Sequence, residues 1–471
     1  MSTSKFDFGM IGLGVMGRNF LLNVADNNFS ALGLDLDEEK VNALKAEGAA
    51  HQIDATTSME EFVEKLSTPR KIMLLVPAGK AVDAVIGQLL PLISEGDLII
   101  DGGNSHFDDT NRRSTELEAK NINFLGVGVS GGAEGARRGP SIMPGGNPEA
   151  YQIVAPILEA VSAKVNGDPC VDYMGKGAAG HYVKMVHNGI EYSLMQLIAE
   201  IYDILHRVVK LSNAQIADTF KEWNEGELRS YLVEITADIF TKADEEGDGE
   251  LIDKILDKAK QKGTGKWTSQ SAMDLGVPIP AIDAAVSMRG ISALKVERLN
   301  AFNLYAMDKL EVSGIDTDDL VNQLKDTLYF GFLIAYAQGY TQLAEADKEM
   351  DLDLNMERTA KIWRGGCIIR ADLLETIRKS FDEDAALTNL VNAPAFKSAL
   401  QKTESSIRSI LKLAMDNKIP TMALSACLTY FDAYRTARLP LNLVQAQRDY
   451  FGAHTYERID KGGTFHTEWK K

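Results

Sequence analysis

Residues 181–192 read HYVKMVHNGIEY, and four of their polar members fall on one helical face. Val183, Val186, Ile190, Leu194, Leu197, Ile198 and Ile201 recur around them at helical spacing, which predicts a helix. Positions i, i+3, i+4 and i+7 share a face, so counting from Lys184 that face carries His187, Asn188 and Glu191. The amine and the carboxyl then stand roughly 10 Å apart along the axis. A small anionic substrate lying along the face could meet a base at one end and an acid at the other. The competing reading is a solvated face with ordinary charges. Two other features weigh against it: glycine-rich residues 131–146 and a nucleotide fingerprint near the N-terminus.

That fingerprint is Gly12-Leu13-Gly14-Val15-Met16-Gly17, directly after the apolar stretch 6–12 and opening a helical pattern. In a strand–turn–helix setting the first glycine permits the tight turn, the second lets a pyrophosphate approach the backbone, and the third lets the helix pack on the strand. The helix N-terminus adds amide donors for the anion. The second strand ends at Asp35, where a carboxylate can accept from the ribose hydroxyls of NAD and repel the 2′-phosphate of NADP. Asp35 or Asp37 could instead cap the helix that begins near residue 38, and the two residues can divide these jobs. The nearest basic side chain downstream is Lys40.

Around these motifs, residues 1–130 alternate short apolar strands (6–12, 31–35, 71–76, 97–101 and 123–127) with helices (14–27, 38–47, 59–66, 81–90 and 109–120). This rhythm predicts an α/β, Rossmann-like, doubly wound and mostly parallel sheet. Strand signals vanish after residue 178, and a proline-free helical pattern runs from 178 to 211. Amphipathic helices follow to about residue 438, separated by loops such as 241–250 and 313–318. The expected division is a dinucleotide-binding domain over 1–178, a large all-α domain over 179–438 and a short tail over 439–471. The tail has weak periodicity, carries glycines and aromatics, and is expected to dock on another surface.

Three further segments could hold substrate. Asp101-Gly102-Gly103-Asn104-Ser105 follows a strand and so lies at the edge where a doubly wound sheet binds its ligands. Ser130-Gly131-Gly132 opens a glycine loop with free amides, and Gln261-Lys262-Gly263-Thr264-Gly265-Lys266-Trp267 is a basic glycine loop fit for phosphate. Each could equally be a tight turn. Residues 244–250 mimic the start of a calcium loop, but the twelfth position falls on Ile255, where a bidentate Glu is required. No segment carries a metal-ligand cluster, and no metal is expected.

Composition narrows the classes. The chain has 471 residues, 45% of them apolar and 25% charged, as in ordinary globular proteins of two or three domains. A net charge of −17 argues against nucleic acid and anionic membrane as partners. Three widely spaced cysteines imply no disulfide framework. Neither a signal peptide nor an apolar run of membrane-spanning length, about 20 residues, is seen. A cytoplasmic enzyme is expected.

Together the stretches GLGVMGRN, IIDGGNS, GVSGGAEGARRGPSIMPGG, GHYVKMVHNGIEY, QKGTGKW, WRGGCIIR and QAQRDYFGAHTYER closely resemble the 6-phosphogluconate dehydrogenase family. The resemblance runs from residue 12 to residue 458 and implies oxidative decarboxylation of 6-phosphogluconate to ribulose 5-phosphate. It further implies a homodimer in which each tail completes the partner's active site. On the matching positions it makes Lys184 the general base and Glu191 the general acid. His187 and Asn188 would contact substrate, with Asn104, Ser130, Gly131 and Gly132 around its carboxylate end. Tyr192, Lys262 and Arg289 would take the phosphate, joined by Arg448 and His454 from the partner's tail. Gly12, Leu13, Gly14, Val15, Met16, Gly17, Asp35, Val76 and Asn104 would hold the cofactor. Most members carry Asn-Arg-Thr after the second strand, where this chain has Asp35-Leu36-Asp37, and many carry Lys where it has Pro77. The first departure leads to the expectation of NAD rather than NADP. A smaller β-hydroxyacid dehydrogenase would lack the KGTGKW and QAQRDYFGAHT segments, and a catalytically silent nucleotide sensor would lack Lys184 or Glu191.

Overall fold

The computed structural model describes residues 5–305 and 316–470. Seven strands form the N-terminal sheet: β1 (Phe8–Ile11), β2 (Ala31–Leu34), β3 (Ile53–Thr56), β4 (Lys71–Leu74), β5 (Leu98–Asp101), β6 (Asn123–Ser130) and β7 (Ser141–Gly146). Their order is β3-β2-β1-β4-β5-β6-β7. All neighbours are parallel except β7, which returns antiparallel along β6 with Ser130 opposite Ser141. The strand period of two is visible in burial. Met73, Ile100 and Leu125 face a core built with Phe20, Leu21 and Val154, whereas Ile72, Ile99 and Phe124 face another built with Phe62, Val82 and Leu117. Helices therefore cover both faces, as a parallel sheet requires.

Neither β3 nor β7 carries a strand signal in the sequence. Only Ala55 and Thr56 of β3 are buried, so it lacks a continuous apolar run, and β7 (SIMPGG) is half glycine and proline. Its burial comes from helix Ala179–Ile204, which lies across β6 and β7. A methyl on Gly128 would meet Lys184 Cβ at 2.4 Å, and one on Gly145 would meet the Gly180 nitrogen at 2.2 Å. Glycines on the strands thus let the helix backbone rest directly on the sheet.

The Ala179–Ile204 helix widens into a π-turn over Leu205–Val209 and ends at Lys210, which is left-handed with φ 62°. It is also the floor of the helical half. Helix Thr317–Met350 packs on it, and methyls on Gly331 and Gly339 would collide with Leu197 and Ile190. Helices Pro394–Asp416 and Met422–Tyr434 complete a single large core. Of the loop expected at 313–318, residues 313–315 lie outside the described residues, and Asp316 caps helix Thr317–Met350. The 241–250 segment is a connection closed by a bridge between Ala243 and Glu250. Among the described residues no group of three or more His, Cys, Asp or Glu could hold a metal, and no helix is long and apolar enough to cross a membrane. Cys170, Cys367 and Cys427 are free and buried.

The tail is more regular than its weak periodicity shows. Leu441–Gly452 is a helix, and Tyr456–Glu457 pairs with Thr464–Phe465. Asp449 is the buried hub of this unit. It accepts from the amides of Thr455 and Thr467, from His466 Nδ1 and from Trp469 Nε1 at 2.8–3.0 Å.

Candidate active site

A cleft of about 860 Å³ opens where the carboxyl edge of the sheet meets the helical half. One wall is the glycine turn after β1. Gly12 has φ 98°, and a side chain there would strike the Leu75 carbonyl at 2.5 Å. Gly17 lets helix Val15–Asp26 close on that turn, since a methyl would lie 1.9 Å from the Gly12 carbonyl. Gly14 has nothing within 4 Å of a would-be methyl and caps the helix without a side chain. The backbone amides at this helix start therefore face open space, the arrangement a pyrophosphate needs.

Asp35 sits beside the turn. Its Oδ2 accepts from the Leu13 amide at 2.8 Å and its Oδ1 from the Asp37 amide at 3.0 Å. Burial pushes the Asp35 carboxyl up, but these amides and Lys40 outweigh it and hold the group below its usual value. Asp37 caps the next helix by accepting from the Glu39 amide. The two aspartates thus divide their jobs as the sequence allowed. Lys40 Nζ lies 3.5 Å from both carboxylates, so a cation stands beside Asp35. Leu36 between them is 88% exposed.

The opposite wall is helical. Asn188, Glu191, Tyr192 and Met195 line the cleft together with Lys262, Thr264, Trp267 and Arg289. The glycine segment at 261–266 is a loop only to Gly263, whose φ of 104° starts helix Thr264–Asp274. Gly265 brings that helix onto the Tyr192 ring, where a methyl would lie 2.5 Å from Cδ2. Arg289 stacks on the other wall of this corner, its Cζ 3.5 Å from the Tyr192 centroid. Lys262 and Arg289 bring two cations to this corner of an otherwise acidic chain, where an anionic group could be met by charge-assisted hydrogen bonds. Asn104, Val76 and Pro77 line the sheet side of the cleft.

Lys184, His187 and Ser130 do not line the cleft but form a buried layer directly under Asn188. Lys184 is 6% exposed and donates to Asn188 Oδ1 at 2.9 Å. His187 Nδ1 lies 3.0 Å from the same oxygen, its Nε2 lies 3.2 Å from Ser130 Oγ, and Asn188 Nδ2 donates to Thr264 Oγ1 at 3.0 Å. With Asn188 Oδ1 accepting, the ring proton belongs on Nδ1. Burial, and then the Lys184 charge, drive the imidazole well below its usual range, so it is neutral. Burial also lowers Lys184, against Glu191 and Cys367, and raises Glu191, against Lys184 and Arg289. Both shifts favour the uncharged forms: an amine able to take a proton and a carboxylic acid able to give one.

Gly131 and Gly132 are the start of helix Gly132–Arg138 rather than an open loop. A methyl on Gly131 would meet the Gly366 carbonyl at 2.5 Å, whereas Gly132 faces free space. The WRGGCIIR segment therefore buttresses the loop from behind, a role its sequence did not reveal. Thr264 and Trp267 of the KGTGKW segment also line the cleft, although the sequence singles out only Lys262 there. Arg448 and His454 are exposed in the tail and do not line this cleft.

A dinucleotide turn joined to a helical half through a Lys and Glu face defines a nucleotide-dependent dehydrogenase. The model of the NAD binding domain of 6-phosphogluconate dehydrogenase matches residues 7–175, and that of the C-terminal domain matches residues 180–469. The chain belongs to the 6-phosphogluconate dehydrogenase family. It is 51% identical over 468 residues to the NADP(+)-dependent, decarboxylating 6-phosphogluconate dehydrogenase of Bacillus subtilis, covering 99% of this chain and 100% of that one. It is 50% identical to the decarboxylating enzyme of Escherichia coli K12, over 99% of each chain. The Plasmodium falciparum 6-phosphogluconate dehydrogenase, solved alone, with NADP+ and with 6-phosphogluconate, superposes with a TM-score of 0.96. It is 43% identical and covers 98% of this chain and 100% of its own.

Proposed function

We propose that this chain oxidatively decarboxylates 6-phosphogluconate to ribulose 5-phosphate and CO2, and that it prefers NAD to NADP. The observation that carries the reading is the buried Lys184 and the cleft-lining Glu191 on one helix, between the dinucleotide turn and the Lys262–Arg289 corner. When bound, the nicotinamide accepts hydride. Neutral Lys184 takes the proton of the C3 hydroxyl as that carbon is oxidised. The resulting ammonium then donates to the C3 carbonyl oxygen and stabilises the enolate left as CO2 departs. Glu191, whose carboxyl burial pushes toward its protonated form, delivers a proton to the carbon that lost the carboxylate, C2 of the substrate and C1 of the product. Base and acid then act from one helix on adjacent carbons, C3 and C2 of the substrate.

Lys262, Arg289 and Tyr192 hold the phosphate, and Asn104, Ser130, Gly131, Gly132, His187 and Asn188 orient the rest of the substrate. NAD preference rests on Asp35, whose carboxylate occupies the end of β2 where the named relatives' NADP would bring a phosphate. The exposed Arg448 and His454 complete the phosphate site of a second copy of the chain. On this reading the division into residues 1–178, 179–438 and 439–471 separates cofactor, substrate and exchange functions. The test is absorbance of the reduced cofactor with 6-phosphogluconate and either NAD or NADP. Absence of turnover with both would overturn the reaction, and equal kcat/KM with both would overturn the preference alone.

A further inference from the structure

Two backbone loops bound the cofactor side of the cleft. Leu75–Ala78 follows β4, and Gly102–Asn104 follows β5. They touch: a methyl on Gly103 would lie 3.5 Å from the Val76 carbonyl. Behind both lies Arg113, on helix Phe107–Glu118, with only 1% of its side chain exposed. Its NH1 donates to Asp101 Oδ2 at 3.2 Å and to Ser105 Oγ at 3.3 Å. Its NH2 donates to the Gly79 carbonyl at 3.0 Å, and its Nε to Asp83 Oδ1 at 2.7 Å. Asp101 in turn accepts from Ser105 Oγ at 2.6 Å and from the Gly103 amide at 3.1 Å. The guanidinium therefore grips both ends of the 102–105 loop on one edge and the 75–79 loop with its following helix on the other.

A buried ion pair of this kind adds little to stability compared with an apolar replacement, but it fixes geometry. A planar fork can serve three directions at once, which a lysine ammonium on a flexible stem cannot reproduce. We propose that Arg113 is a positioning residue that sets the spacing of the two loops. It thereby fixes the gap between Val76 and Pro77 on one side and Asn104 on the other, in which the nicotinamide must lie against C3 of the substrate. The inference rests on the cleft being the cofactor site, and it gives a role to a residue remote from every reacting atom.

The test compares Arg113→Lys and Asp83→Asn with the parent, Asp83 being partly exposed and its replacement milder for folding. NAD binding is measured by calorimetry without substrate, and hydride transfer by the isotope effect with substrate deuterated at C3. Arg113→Lys should weaken NAD binding about tenfold, the loss expected when hydrogen bonds to a buried fork are broken. It should also raise the isotope effect and speed amide exchange at residues 75–79 and 102–105. Asp83→Asn should shift all three in the same direction by less. A fall in kcat with parent binding, isotope effect and loop exchange in both variants would mean that Arg113 only supports the fold, and would overturn the proposal. If NAD fails to protect residues 12–17 of the parent from exchange, the cleft reading itself fails, whatever the variants do.

Discussion

The two walls of the cleft handle charge in opposite ways. Behind the helical wall Lys184 and His187 are buried, on its surface Glu191 is half-buried, and desolvation drives each toward its neutral form. Beside the nucleotide wall, next to the glycine turn, Asp35 stays ionised, held below its ordinary value by two backbone amides and Lys40 despite partial burial. Proton transfer needs groups poised between two protonation states, and desolvation provides that. Discrimination between cofactors that differ by a phosphate needs a fixed charge, and hydrogen bonding provides that. Rigidity follows the same division. The Ala179–Ile204 helix lies on strand glycines and between two helices, whereas Asp35, Leu36 and Asp37 sit at a strand end with Leu36 in solvent.

The largest effect should come from the buried wall. Lys184→Met should lower kcat by about a thousandfold or more, within the span that general-base catalysis supplies, with NAD binding and the thermal midpoint near those of the parent. Activity within tenfold of the parent would remove Lys184 from the mechanism. Glu191→Gln should spare hydride transfer and slow the later protonation at C1. Single-turnover cofactor reduction should then run ahead of ribulose 5-phosphate release, and equal loss in both steps would assign Glu191 elsewhere.

The tail belongs to neither wall of its own cleft, which makes it the next place to press. Truncation after Leu441 should abolish turnover. Arg448→Ala should raise the KM for 6-phosphogluconate by about a hundredfold while leaving NAD binding alone, in keeping with loss of a charge-assisted contact to phosphate. Dilution of the parent until it sediments as a monomer should lower specific activity. A fully active monomer would place both tail residues outside the site.

Much of this was legible in residue spacing. The period of 3.6 in residues 181–201 put Lys184 and Glu191 on one face, and the strand before Gly12 placed the turn. Three things were not legible, each for a physical reason. The strand β7 is buried by another helix rather than by its own side chains, so its apolar pattern is weak. The hand-over from loop to helix at Gly131 and Gly263 depends on positive φ, which glycine permits but does not announce. Lys40 reaches Asp35 only because the Asp37 cap starts a helix that turns it back.

That last contact allows the exposed wall to be dissected. Replacing Asp35-Leu36-Asp37 by Asn-Arg-Thr should shift preference from NAD toward NADP, against a parent bias of about a hundredfold in kcat/KM. Asn retains an acceptor for the Leu13 amide, so the turn should survive. Lys40→Ala should weaken NADP further, by no more than about fivefold because exposed ion pairs are worth little, and leave NAD nearly unchanged. If Lys40→Ala harms NAD equally, Lys40 orders the strand end instead of meeting the phosphate.

The smallest effect concerns a carboxyl that separates burial from catalysis. Glu200 lies on the same helix as Glu191 and is also buried, but it faces helix Met422–Tyr434, whose Ala423 and Leu424 amides donate to its two oxygens at 2.9 Å. Burial pushes it up to about 7 from 4.5, against those amides and Gln196 and with a small push from Asp203. A carboxyl with a raised folded value favours the folded state when protonated. Its contribution is complete below about pH 4.5 and is lost as pH rises through 7, by at most about 3 kcal/mol. The parent should therefore lose thermal stability between pH 5.5 and 8 more steeply than Glu200→Gln. The variant itself should start lower, because the amide NH2 cannot serve both backbone donors. The reading is the difference in slope, with kcat at pH 7 close to the parent's for both. Parallel slopes would mean that the two amides keep Glu200 ionised throughout. Burial on this helix would then be insufficient to protonate a carboxyl, and the shift at Glu191 would have to come from what the cleft binds.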